Sequence, residues 1–206
     1  MAKSRARGKY AAALHRYSGS PNVRYTDPTH ILYGLPYGAY ESNFWVGDIS
    51  SGAIAAITSG QGLAVAIPLQ EGMTIRRLAF ITGSTAGATI TNQWGALYDT
   101  QATPALCEWS GDLGSAALPA STVIFYDLRR PYTVPITGTY YAAYSITATT
   151  RPTIAGKSLG STVYANTVSG SPVLAQTWGS ALGGTAPSTI STPTTTTKLM
   201  WMCAIG

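Results

Sequence analysis

The sequence predicts an all-β protein: a single antiparallel β-sandwich of jelly-roll type behind an irregular, basic N-terminal arm. Three observations lead there. Only 10% of the 206 residues are charged, against roughly 25% in an average soluble domain, and 22 glycines with 12 prolines punctuate the chain. That composition excludes coiled coils and helix bundles, while 45% hydrophobic residues with 5 Trp, 13 Tyr and 3 Phe argue against a disordered chain. From about residue 60 onward, short runs of β-branched and aromatic residues alternate with turn clusters. The length suits one core plus an appendage, at about 100–200 residues per domain.

Residues 1–44 form the arm. Ala11-Ala12-Ala13-Leu14 favours a short helix within Lys9 to Tyr17, after which Ser18-Gly19-Ser20-Pro21 and Asp27-Pro28 force turns. Lys3, Arg5, Arg7, Lys9, Arg16 and Arg24 give residues 1–24 six bases and no acid, whereas residues 25–206 carry seven bases and eight acids, a balance of −1. The basicity therefore belongs to the arm. It suits phosphate, an anionic membrane or an acidic protein surface, and charge alone does not choose among them. Tyr25, Tyr33, Tyr37 and Tyr40 follow in a stretch with few other large apolar groups, and tyrosines in an irregular strap pack flat against another surface. The arm is read as a partner-docking element whose contacts are Lys3, Arg5, Arg7, Lys9, Arg16, Arg24, Tyr25, Tyr33 and Tyr37.

Ala11 to Leu14 is far short of the roughly 7–15 apolar residues of a secretion signal, so no signal peptide is expected. The longest apolar tract, Ala53 to Leu69, is broken by Thr58-Ser59-Gly60-Gln61-Gly62 and Pro68, and no membrane insertion is expected.

Residues 45–206 form the sandwich. Its strands are read at Leu63–Ile67, ending at Pro68; Thr74–Ile81; Trp94–Tyr98; Ala105–Trp109; Ser121–Tyr126; Gly138–Thr147; and Lys198–Ile205. Trp94, Leu97, Val123, Phe125, Tyr141, Trp201 and Met202 are the expected core. The uncharged loop 158–197 holds Val163, Tyr164, Val173, Leu174, Trp178 and Leu182, which give it something to bury, and it is read as a structured loop at a subunit interface. Ala186 to Thr197, ending in a threonine run, is expected to be its loosest part.

Cys107 and Cys203 are too few for a disulfide framework and lie in strand-like runs, where buried free thiols are expected. Catalytic chemistry finds little support. His15 and His30 both lie in the arm without a metal spacing, and Asp27 beside His30 fits a turn hydrogen bond at Asp27-Pro28 better than a ligand pair. Among the acids, Asp99 and Asp112 sit in turns, Asp127 ends a strand, and Glu108 beside Trp109 reads as an outward-facing strand residue. A glycan-cleaving pair of Glu108 with a turn aspartate is the enzymatic alternative. No nucleophile elbow, phosphate loop or dinucleotide fingerprint follows a strand, so the chain is read as a non-enzyme without metal or cofactor. Nucleic-acid binding by Lys3 to Lys9 with Tyr10 and Tyr17 lacks a framing module, and the slightly acidic body is expected to offer no basic groove.

The run Arg77-Leu-Ala-Phe-Ile-Thr-Gly-Ser-Thr-Ala-Gly-Ala-Thr-Ile-Thr-Asn-Gln-Trp-Gly-Ala-Leu-Tyr-Asp99 resembles a β-sandwich of minor tail and surface proteins of tailed phages infecting actinobacteria. So does Pro131-Tyr-Thr-Val-Pro-Ile-Thr-Gly-Thr-Tyr-Tyr-Ala-Ala-Tyr-Ser-Ile146, with Arg151-Pro-Thr after it. The likeness covers roughly residues 61–206. It implies a virion component that self-associates, expected as a homotrimer, displays its sandwich on the particle and has other virion proteins and a host cell-surface glycan as partners. Such modules often end a much longer tail polypeptide, and here only a short arm precedes the sandwich. Capsid decoration on the major capsid protein therefore stands beside the tail role.

Overall fold

A computed structural model describes residues 39–42 and 50–54 as strands, and residues 57–159 and 173–206 in full. The chain divides into two compact units, 1–39 and 40–206, and the second is described here. Among the described residues thirteen strands run in order: β1 (Ala39–Ser42), β2 (Ser50–Ile54), β3 (Gly62–Leu69), β4 (Thr74–Ile81), β5 (Ala88–Tyr98), β6 (Leu106–Trp109), β7 (Val123–Thr133), β8 (Gly138–Thr150), β9 (Ile154–Ser158), β10 (Ala175–Trp178), β11 (Thr194–Thr195), β12 (Lys198–Met200) and β13 (Met202–Ile205). They form three sheets: β1-β13-β4-β7, β11-β10-β3-β8-β5-β6 and β12-β9-β2. The ladders are antiparallel, as in β3 on β8, β4 on β7 and β5 on β8. The protein is thus all-β, built of several antiparallel sheets.

Strand alternation sorts side chains onto two faces of the six-stranded sheet. Leu63, Val65 and Ile67 of β3, Leu97 of β5, and Tyr140, Ala142, Tyr144 and Ile146 of β8 meet Ile75, Leu78 and Phe80 of β4, Tyr126 and Leu128 of β7, and Met202 and Ala204 of β13 in one buried cluster. The Phe80 ring lies 5.2 Å from Tyr126, edge-on, and 5.1 Å from Tyr144. Gly95 is required beneath this contact, because a Cβ there would lie 2.5 Å from the Tyr126 ring. The Tyr126 hydroxyl donates to Gln93 Oε1 at 2.7 Å, which satisfies a polar atom that burial would otherwise penalise. The opposite face carries Ala64, Ala66, Trp94, Ala96, Tyr98, Tyr141 and Ala143, buried together with Trp178, Ala186 and Ile190. The strap after β10 covers this second layer.

Several expectations are corrected. Phe125 is 37% exposed and Val123 only half-buried, because β7 turns Tyr126 and Leu128 inward instead. Pro68 does not end β3, which runs on to Leu69; the β10 ladder stops at Val65, so no partner there needs the missing N–H. Asp127 lies inside β7 rather than at its end. The run Lys198–Ile205 breaks at Trp201, whose N–H donates to Ala155 O, and its halves join different sheets. Ala186 to Thr197 is not loose: Ala186 and Ile190 are buried, and β11 pairs with β10. The remaining expected core residues, Trp94, Leu97, Tyr141, Trp201 and Met202, are buried.

Candidate functional site

The expected docking contacts Lys3, Arg5, Arg7, Lys9, Arg16, Arg24, Tyr25, Tyr33 and Tyr37 lie outside the described residues, as do His15, Asp27 and His30. The four acids weighed for chemistry, Asp99, Asp112, Asp127 and Glu108, are described, and each has a local partner. Asp99 closes its turn by accepting from Ala105 N at 2.8 Å and from Gln101 Nε2 at 2.6 Å. Asp112 accepts from Asn92 Nδ2, Gln93 N and Gly114 N at 2.7, 3.0 and 2.8 Å. Partial burial pushes its carboxyl up, but these hydrogen bonds outweigh that and hold it below the usual carboxylate range. Asp127 pairs with Arg77 at 2.7 Å.

Glu108 departs from its expected outward orientation. Its cross-strand partner is Leu97, a core residue, so its side chain shares the inner face at the sheet edge. It is 16% exposed, accepts from Trp109 N at 3.0 Å and lies 3.8 Å from Arg130 Nε. No second carboxylate is among its hydrogen-bond or ion-pair partners.

Neither cysteine is in a disulfide; Cys203 is buried and Cys107 half-buried. Burial pushes the Cys107 thiol above its ordinary value, against a hydrogen bond with Tyr132 that lowers it, which favours the unreactive protonated form at neutral pH. Among the described residues, no three His, Cys, Asp or Glu side chains gather as a metal set, and no helix is long and apolar enough to cross a membrane.

What the fold does gather is arginine. Four of the seven bases in residues 25–206 fall in two doublets, Arg76-Arg77 and Arg129-Arg130. On the β4–β7 ladder Arg77 pairs with Asp127 and Ile75 with Tyr132, so Leu128 to Pro131 bulge out opposite Arg76. Bulges of this kind re-aim side chains. Here the Arg129 guanidinium lies 5.6 Å from the centre of the Trp109 ring, and Arg77 lies 5.5 Å from that of Phe125. At this edge the two doublets come opposite each other on adjacent strands as a basic cluster. Its signal was present in the sequence as two Arg-Arg pairs in a chain poor in charge, but their separation hid the convergence. No protein-family model matches the chain, and comparison with curated proteins finds no match.

Proposed function

We propose that the chain is a structural, non-enzymatic protein of a tailed-phage virion, whose body is a single jelly-roll sandwich that self-associates as a trimer and is anchored by its arm. The observation that carries this reading is strand order. Setting aside β2 and β9–β12, eight strands remain, and the two larger sheets take them as first-eighth-third-sixth (β1-β13-β4-β7) and second-seventh-fourth-fifth (β3-β8-β5-β6). That interleaving matches the strand order of a double Greek key and supports the jelly-roll reading, an architecture used by viral capsid and lectin domains. The fold alone does not fix function. The uncharged stretch 158–197 adds support, because small polar groups desolvate cheaply against identical copies, whereas charges would not.

Within this proposal the tail apparatus is the primary location and capsid decoration the alternative, with host glycan a partner of the first only. The direct test is antibody labelling of intact particles from a phage that encodes this chain. Label at the tail tip or on the head supports the respective location, and particles devoid of the protein overturn the reading. Release of sugars from host cell-wall glycan by the purified protein, abolished by Glu108→Gln, would overturn its non-enzymatic part.

A further inference from the structure

We propose that the two arginine doublets form a docking surface for an acidic segment of a partner protein, with Arg76, Arg129 and Arg130 receiving its carboxylates. Four arginines against Glu108 and Asp127 leave this edge at +2, on a body (residues 25–206) whose overall balance is −1. Much of that charge is uncommitted. Arg77 is engaged by Asp127 at 2.7 Å, but Arg130, 85% exposed, is 3.8 Å from Glu108, beyond hydrogen-bond range. The Arg129 guanidinium lies over the Trp109 ring, 5.6 Å from its centre, and its N–H groups have no hydrogen-bond or ion-pair partner among the described residues. Arg76 is exposed and makes no hydrogen bond or ion pair among the described residues.

The surroundings select the partner class. A sugar or a nucleic-acid base needs an open aromatic face, and the Trp109 ring already carries Arg129. Glu108 and Asp127 inside the cluster would repel a continuous phosphate backbone, yet they leave room for spaced carboxylates. Half-exposed Phe125, adjoining Arg77, adds an apolar contact, and arginine with aromatics is the composition of protein–protein hot spots. Guanidinium forks match carboxylates bidentately, and stacking on Trp109 holds one fork in place before binding.

The proposal is independent of the virion reading, because it is tested on the purified full chain. A fluorescein-labelled peptide of alternating Glu and Leu is titrated and followed by anisotropy. Arg129→Gln with Arg130→Gln should weaken binding about ten-fold or more, the loss of at least one charge-assisted pair. Lys157→Gln, a charge change elsewhere on the body, should alter it less than about two-fold, since exposed charges are screened over this range. Arg129→Lys with Arg130→Lys should recover only part of the affinity, because lysine lacks the fork. Unchanged thermal midpoints would confirm that these exposed substitutions leave the fold intact. Equal loss in Lys157→Gln, no loss in the double glutamine variant, or full recovery by lysine overturns the proposal. Tighter binding of duplex DNA or a polyuronate at the same residues overturns it in favour of those ligands.

Discussion

The six-stranded sheet is buried on both faces, and the two faces are covered by different means. On the inner face, aliphatic side chains of β3, β5 and β8 meet another sheet, whose backbone groups are already paired along its own ladders. Apolar area dominates there, at roughly 1.5–3 kcal/mol for each large side chain fully buried, with the Tyr126–Gln93 hydrogen bond satisfying a buried hydroxyl. On the outer face the cover is a strap without regular structure, so its carbonyls need donors. The sheet supplies them from aromatics with polar tips: Trp94 Nε1 donates to Gly183 O at 3.0 Å and Tyr98 OH to Pro187 O at 2.9 Å. Leu106 N to Ser188 O and Ile190 N to Pro104 O complete the seam. Alanines 64, 66, 96 and 143 lie between the aromatics and leave space for the rings. A sheet can therefore be closed by a loop when its outward residues combine bulk with a hydrogen-bond donor.

The contrast is tested most severely at Phe80. Phe80→Ala removes the ring that joins Tyr126 to Tyr144 and should cost about 3–5 kcal/mol. Urea unfolding should show the whole body shifting in one transition; a loss confined to part of it would mean that the inner face is not the common core. Gly95→Ala should cost about 1–3 kcal/mol by overpacking against the Tyr126 ring. The cost should shrink when Tyr126 is also replaced by Leu, and additive effects in that double-mutant cycle would refute the steric cause.

On the outer face the expected effect is smaller and local. Tyr98→Phe keeps the ring but leaves Pro187 O without its donor, at about 0.5–1.5 kcal/mol. Hydrogen exchange should quicken at the Leu106 and Ile190 amides of the seam and stay unchanged at Tyr144 in β8. Uniform acceleration across both sites would show that the strap and the inner core open together.

Legibility in the sequence follows the same division. β4 is found at Thr74–Ile81 as its apolar run and flanking turns predict, and β8 begins at Gly138 as expected but continues to Thr150, past the predicted Thr147. Period-2 patterning reports a sheet facing a sheet. It does not say which of two adjacent aromatics turns inward, and Tyr126 displaces Phe125 because Gln93 receives its hydroxyl. Nor does it reveal what the strap covers: the stretch 158–197 reads as a structured loop at a subunit interface, with Ala186 to Thr197 loose, because its hydrogen-bonded anchors lie in distant strands. The second half of β7 is missed for a related reason: the strand is predicted to stop at Tyr126 but runs on to Thr133, because an edge strand tolerates both a proline and a bulge. The arginine cluster depends on that bulge, so it is legible only once the β4–β7 register is known.

The smallest effect concerns the end of the strap near Asp112. A Cβ on Gly184 would collide with the Asp112 carboxylate, so the strap passes the middle of β5 as glycine, close against a group that already binds three donors. These hydrogen bonds, outweighing desolvation, hold the folded pKa below the unfolded value of about 4, so the unfolded chain binds the proton more readily. The resulting stability is fully present above the unfolded pKa and is lost as pH falls through the folded one. Its size is modest, since the side chain is largely solvated and screened. Asp112→Asn should therefore be less stable than the parent at neutral pH, with the gap closing as the pH drops below about 4. Urea titrations of both proteins from pH 7 downward measure that gap. A gap that persists undiminished at acid pH would mean that the residue acts through shape alone, and the carboxylate's hydrogen bonds would not be what fixes the middle of β5 beneath the strap.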